Sequence, residues 1–388
     1  MRILLCNYEY PPLGGGGGVA SADIAEELAK THHVTVLTSQ GQGLATREVV
    51  NGVDVVRVPV FGRNARSTAS LASMLSYVPL AIREGIRLVR DESFDVVNTH
   101  FAIPTGPAGD RIARRAGIPN VLTVHGGDLY DPSKFLSPHR HAVLRTIVRR
   151  QLQRADAVVA QSRNTEHNVH RYYVSDLPIE LIPLGIKPVP PGSASRVAFG
   201  IPDNAVLMVT VGRLVARKGV DTLIEAVRCA AAPNLHLVVI GEGPLSSKLA
   251  AKAAEAGVSS NVHFPGFVSQ ADKYGLLRAS DFYVSASLHE GFGLVFLEAM
   301  ACGLPVVCFD EGGQTDFLED RATGRLIAVG NVDALVSACR NLAADRESRL
   351  LLGKNALARV QPYFIQQCAA RYEALFRRII TIKHREIH

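Results

Sequence analysis

Two glutamates stand eight residues apart in the stretch "LHEGFGLVFLEAMACGLPVV", Leu288 to Val307. Glu298 lies in the middle of an otherwise apolar run, where an acid is costly unless something pairs with it. Ser285 and Ser287 end a strand pattern, "HEGFG" reads as a turn, and a helical pattern runs from about Leu294 to Cys302. Glu290 therefore falls in the loop ahead of a helix, and Glu298 one to two turns inside it. That separation does not suit a simple i,i+4 pair. Glu298 is either salt-bridged within the fold or accepts hydrogen bonds from a diol such as a ribose. In the second case the free N–H groups of "FGLV" would face a phosphate.

Other residues could share that chemistry. "TVGRLVARKGVDTLIEAV" sets Arg213 and Lys218 just past a strand end and at a helix start. Arg as a planar fork and Lys as a point charge can clamp a diphosphate, although a lone basic pair after a strand is common. "VIGEGP" is a further strand-end glycine turn. "VLTVHGGDLYD" puts His125 at a strand end, and "VVNTHFAIPTG" does the same with His100. An isolated histidine is usually structural or solvated; a strand end at a domain edge favours function.

In "PPLGGGGGVASADIAEELAK" five glycines, Gly14 to Gly18, stand between a strand and a helix. Such glycines let backbone N–H groups approach a phosphate, with the helix terminus adding favourable partial charge. Gly15, Gly17 and Ala20 fit G-x-G-x-x-A, but "YEYPPL" separates the run from its strand. The next strand ends "VLTSQ", with no acid to hold a ribose, so the dinucleotide fingerprint is incomplete. A loop with no ligand is the alternative.

These residues need elements to position them. "RILLCN", "HVTVLTS", "FDVVNTH", "NVLTVHG", "DAVVAQS" and "IELIPLG" alternate with helix-length segments. This is the pattern of a parallel sheet covered on both faces. "KPVPPGSASRVAFGIPDN", Lys187 to Asn204, is rich in Pro, Gly and Ser and reads as a linker. Alternation then resumes through "VLMVTVGRL", "HLVVIGEG", "NVHFPGF", "DFYVSAS", "PVVCF" and "GRLIAV". The expected fold is α/β: two Rossmann-like doubly wound domains, 1–188 and 189–363, facing across a cleft at the carboxyl ends of their strands. Residues 364–388 form a terminal helical segment able to return to the first domain.

Bulk properties limit the function classes. The chain has 388 residues, 47% hydrophobic and 20% charged, long for one core. The N-terminus reads as a first strand rather than a signal peptide, and no run reaches the roughly 18 apolar residues of a membrane span. Six scattered cysteines, without paired spacing, suit reduced thiols in a cytosolic protein. The net charge of +6 suits anionic ligands: nucleotides, nucleic acid or a membrane surface. From Arg140 to Arg154 there are five arginines and no acid, interleaved with Leu144, Ile147, Val148 and Leu152. This basic amphipathic helix is either a solvated face over a packed one or a contact with an anionic membrane or acidic acceptor.

"EGFGLVFLE" (E-x7-E), preceded by Ser287 and followed by "AMACGLPVV", resembles the signature of the retaining GT-B glycosyltransferases of family 4. The glycine loop, "THF", "TVHG", "GRL…KG", "GEGP" and "PGFV" follow the family in order over nearly the whole chain. The resemblance implies a nucleotide-diphosphate sugar donor held mainly by the second domain and a glycan or lipid-linked acceptor held mainly by the first. It implies no cofactor and no nucleic acid partner. Carried over, Glu298 would bind the ribose hydroxyls and Glu290 the donor sugar, with Phe292, Gly293, Leu294 and Val295 lending backbone groups. Arg213 and Lys218 would neutralise the diphosphate leaving group, and Gly17 and Gly18 would approach the same phosphates. Phe267 and Val268 would lie against the base, and His125 beside the reacting sugar. No D-x-D occurs, which fits catalysis without a metal. Asp316, in "GGQTDFLED", stands where the family usually has Glu. A UDP- or GDP-hexose donor, surface polysaccharide or glycolipid as product, and a cytoplasmic location at the inner face of the membrane are the expectations. A sugar-nucleotide epimerase of the same architecture is the alternative. Acceptor choice is expected to rest in the loops from Phe61 to Leu75 and from Asp128 to Arg140.

Overall fold

The structure, a computed structural model, describes residues 1–63, 69–192 and 196–387. The chain divides into two compact units, Met1–Lys187 with Tyr363–His388, and Pro188–Pro362. Residues 64–68, inside the first expected acceptor loop, and 193–195, inside the linker, lie outside the described residues.

The first unit contains β1 (Arg2–Asn7), α1 (Gly16–Ala29), β2 (His33–Ser39), β3 (Arg47–Val50), β4 (Val53–Val58), α2 (Leu71–Asp91) and β5 (Val96–His100). It continues through α3 (Gly106–Ala116), β6 (Asn120–Val124), α4 (Ala142–Arg154), β7 (Ala157–Ala160), α5 (Arg163–Tyr172) and β8 (Glu180–Leu181). The sheet order is β3-β4-β2-β1-β5-β6-β7-β8. All pairings are parallel except β3 with β4. That hairpin turns on Asn51 and Gly52, both at positive φ (50° and 83°), the requirement of a two-residue type I′ turn. β1, β5 and β6 are central strands covered on both faces; β1 is largely apolar, while β5 and β6 also bury Asn98, Thr99, His100, Asn120 and Thr123. The strand expected at "IELIPLG" shrinks to Glu180–Leu181 at the sheet edge.

The second unit contains β9 (Val206–Val211), α6 (Val220–Ala230), β10 (Leu235–Ile240), α7 (Ser246–Glu255), β11 (Val262–Gly266), α8 (Gln270–Ala279) and β12 (Phe282–Ser285). α9 (Leu294–Ala301), β13 (Val306–Phe309), β14 (Gly324–Ile327), α10 (Val332–Ala344) and α11 (Arg346–Arg359) complete it. Its parallel sheet runs β11-β10-β9-β12-β13-β14. One core joins the sheet to α6, α7 and α10 through Leu223, Ile224, Leu237, Leu249, Phe282 and Leu335.

Polar contacts show where one unit ends and the next begins. Lys187 Nζ pairs with Asp23 and Glu26 of α1, at 2.7 and 2.8 Å. A few residues later Arg278 donates to the carbonyls of Pro190 and Gly192, tying that backbone to α8. The terminal helix α12 (Ile365–Ile387) belongs to the first unit. Ile186 N donates to Tyr363 O and Ile365 N to Ile186 O, at 2.9 and 2.8 Å. Tyr372 and Phe376 are fully buried, and the Tyr372 hydroxyl lies 3.1 Å from Thr123 Oγ1 of β6.

Candidate active site

The residues of the second unit gather on the loops that follow β9 and β12, neighbouring strands in its sheet. The loop after β9 makes a short turn at Ala216–Lys218 and enters α6 through Gly219. Gly219 has φ +60°, and a Cβ there would stand 2.2 Å from the Ala286 carbonyl oxygen, so only glycine lets the two loops close. Leu288 N then donates to Arg217 O at 2.9 Å.

Glu290 is buried in this junction. Lys218 Nζ contacts its Oε1, and Arg217 Nη1 lies 3.8 Å from its Oε2 while donating to His289 O at 3.1 Å. The Glu290 carbonyl accepts from Gly313 N at 2.8 Å, which stitches the loop to the "GGQTD" turn where Asp316 lies half-buried. Burial alone would push the Glu290 carboxyl up, but the charges of Lys218 and Arg217 bring it below its ordinary 4.5. A depressed carboxylate stabilises the fold above the unfolded value, and that contribution is lost as pH falls through the folded one. Glu290→Gln is therefore expected to lower Tm at pH 7. It is also expected to flatten the fall of Tm below pH about 4.5 relative to the native chain. Parallel Tm curves across pH 3–7 would remove the ion pair from the account.

Glu298 lies on the second turn of α9. Lys273 Nζ, from α8, pairs with its Oε1 at 2.7 Å, and the Tyr274 hydroxyl donates to the same oxygen at 3.3 Å. The salt-bridged reading thus holds for Oε1. Oε2 makes no hydrogen bond among the described residues. Between the two acids, Gly293 caps α9 at φ +95°, and no side chain caps the helix. The N–H groups of Leu294 and Val295 make no hydrogen bond within the described residues, as expected of a first turn. Phe292 is buried against Phe317. Arg213 is exposed, Phe267 is 81% exposed, and Val268 is half-buried.

In the first unit the glycine run is shorter as a loop than its sequence suggests, since Gly16, Gly17 and Gly18 already lie in α1. Glu9 Oε2 accepts from Gly15 N at 3.0 Å, so a carboxylate of the chain itself occupies part of this helix start. Gly17 faces Phe101, whose Cζ would be 2.5 Å from a Cβ. Phe101 holds a left-handed φ of 70°, rare for a bulky residue, and packs 4.5 Å from the His125 ring. His125 is buried and is not isolated: its Nε2 lies 2.9 Å from His100 Nδ1. Asp128 ties this loop together, accepting from His125 N at 2.9 Å and Ala102 N at 2.7 Å. Burial raises its carboxyl to about 6, against the pull of those two N–H groups.

The structure thus brings Glu290 and Lys218 together, and groups Glu298 with the uncapped start of α9. Gly17 meets His125 through Phe101. Sequence reading missed Arg217, Lys273, Glu9 and Asp128. Arg217 adjoined a recognised cation, and "GGD" carried a turn-forming acid. Lys273 and Glu9 gave no local signal. Of the basic segment, Val148 and Leu152 are fully buried, Arg154 pairs with Asp110 at 3.2 Å, and Arg149 Nε donates to Tyr173 O. α4 therefore packs one face against the fold and leaves Arg145 and Arg150 exposed on the other.

Residues 193–359 match the model of the glycosyl transferases group 1 family, and residues 14–189 that of glycosyltransferase family 4. The chain is 28% identical over 375 residues to the GDP-mannose-dependent alpha-(1-6)-phosphatidylinositol monomannoside mannosyltransferase of Mycolicibacterium smegmatis, covering 90% of this chain and 91% of that one. Sucrose-phosphate synthase from Thermosynechococcus elongatus has the same fold, with a TM-score of 0.83, 22% identity, and coverage of 98% and 100%. Anabaena HepE in complex with UDP superposes with a TM-score of 0.76, 19% identity, and coverage of 97% and 99%. The sugar-nucleotide epimerase alternative is not favoured by these matches. With two parallel-sheet α/β units and family matches over both, the chain belongs to the group 1 glycosyltransferases of GT-B fold.

Proposed function

We propose that the protein is a retaining, metal-independent hexosyltransferase. It takes its sugar from a UDP- or GDP-linked donor and passes it to a glycan or lipid-linked acceptor, in surface polysaccharide or glycolipid synthesis. The observation that carries this reading is the uncapped N-terminus of α9 between two acids, Glu290 and Glu298. Free N–H groups there suit a phosphate, and the spare oxygen of Glu298 suits a ribose hydroxyl. Lys218, Arg213 and the start of α9 would stabilise the charge left on the β-phosphate as its bond to the sugar breaks. The acceptor hydroxyl attacks on the same face, and its proton passes to the departing phosphate oxygen. Glu290 meets the donor sugar's hydroxyls, and Phe267 with Val268 meets the base. A relative's GDP-mannose dependence and the UDP bound in a fold neighbour support a nucleotide-sugar donor and leave both bases in play. Proton NMR of the glycoside product tests retention: the anomeric configuration of the donor should persist, and inversion would refute the mechanism.

The acceptor reading includes a membrane surface. Phe135, Leu136 and Val143 are 79%, 60% and 72% exposed, beside Lys134, Arg140, Arg145 and Arg150. Apolar tips among cations suit an anionic bilayer. No described helix is long and apolar enough to cross a membrane. Flotation with phosphatidylglycerol-containing vesicles should carry the protein at low salt, and Phe135→Ser with Leu136→Ser should abolish it. Salt-independent binding, or none, would refute this contact.

A further inference from the structure

The family resemblance implies that His125 stands beside the reacting sugar, and a chain of hydrogen bonds decides which of its ring nitrogens can face it. Asn98 and His100 lie on the same side of β5, two residues apart. β6 sets Val121 opposite Asn98 and Thr123 opposite His100. Asn98 Nδ2 donates to the Val121 carbonyl at 3.1 Å and to Thr123 Oγ1 at 3.2 Å. A flipped amide would set oxygen against the Val121 carbonyl oxygen, so this orientation is the satisfied one. Asn98 Oδ1 then faces His100 Nε2 at 2.8 Å.

An amide oxygen only accepts, so His100 Nε2 carries the hydrogen. Burial pushes both imidazoles down, His100 well below 6.5 and His125 to about 4, so each is neutral at pH 7 with one N–H. His100 Nδ1 is therefore bare and accepts the 2.9 Å bond from His125 Nε2–H. That leaves His125 Nδ1 as a lone pair buried without a partner at hydrogen-bond geometry, while the Gln161 side chain acts on the ring against the downward push of burial. A buried acceptor left unpaired is costly and calls for a donor. Tyr372 of α12 stacks behind His100, with ring centroids 6.4 Å apart, and holds its plane.

We propose that Asn98 and His100 are positioning residues that hold His125 in the Nε2–H tautomer, so that Nδ1 accepts a hydrogen bond from a hydroxyl of the sugar substrate. The site then rejects a carbonyl, carboxylate or phosphate oxygen at this point, because two acceptors would meet. The role in turnover rests on the glycosyltransferase reading; the tautomer does not, and it is measured on the free protein.

The test is a long-range proton–nitrogen correlation spectrum of the full chain labelled with 15N-histidine, with His125 assigned by its loss in His125→Asn. The native protein is expected to show His125 protonated at Nε2 and bare at Nδ1. His100→Leu removes the acceptor and should let His125 populate the Nδ1–H form. His100→Asn offers an amide oxygen near the old Nδ1 position and should restore Nε2–H. Nucleoside diphosphate release should fall about tenfold to a hundredfold in His100→Leu, the scale on which losing the hydrogen-bond partner of a metal-bound histidine acts. It should largely recover in His100→Asn. An Nδ1–H native tautomer, or one unmoved in His100→Leu, would overturn the proposal. If His100→Leu does not fold, the native and His100→Asn spectra still decide.

Discussion

Lys218→Ala combined with Arg213→Ala is expected to slow sugar transfer by about a hundredfold to a thousandfold or more, the scale on which removing one preorganised transition-state donor acts. Departure of a nucleoside diphosphate concentrates charge on the β-phosphate, and a positioned cation stabilises that charge without reorganising. Lys218 is held by Glu290, so its loss has a second effect: a buried carboxylate without its main partner. The two effects separate in Lys218→Met with Glu290→Gln, which removes both charges together. This pair should regain stability relative to Lys218→Met alone, whereas turnover is read in Lys218→Met, because Glu290 is itself proposed to meet the donor sugar. Turnover near the native rate in the Lys218 and Arg213 variant would end the leaving-group account.

Glu298→Ala is expected to weaken binding of the free nucleotide, by about tenfold to a hundredfold for each hydrogen bond lost. Hydrogen bonds to a charged group contribute about 1.5–3 kcal/mol, and 1.4 kcal/mol is tenfold. The Lys273 contact complicates the single variant, because removing the acid strands an ammonium that is only 12% exposed. Lys273→Met is the control. It breaks the same ion pair, leaves the carboxylate, and should cost far less nucleotide affinity than Glu298→Ala. Equal losses by calorimetry in the two variants would make Glu298 a structural partner only.

The parts legible in the sequence were those that repeat or that sit in one stretch. Alternation of apolar runs with helical segments indicated two parallel sheets, because a strand covered on both faces is mostly apolar. The turn, helix start and two acids of residues 288–302 were readable in place, because a glycine at the N-cap and an apolar helix leave few alternatives. What escaped was whatever depends on contacts between separate elements or around a turn. Lys273 reaches Glu298 from the preceding helix, 25 residues away, and Glu9 meets Gly15 around two prolines. His100 and His125 looked like separate strand ends because only the pairing of β5 with β6 makes them neighbours. The β3–β4 hairpin did carry a local signal, Asn51-Gly52 between apolar runs, although it breaks the parallel alternation around it.

The most direct test of the central claim is a calorimetric titration of the native chain with UDP, GDP, ADP and NAD, without added metal. The account predicts saturable binding of UDP or GDP, and a rise in Tm with the same nucleotide, because a ligand of the folded state alone must stabilise it. Binding of NAD alone, or of none of the four, would contradict it and would separate Glu290 and Glu298 from any nucleotide sugar.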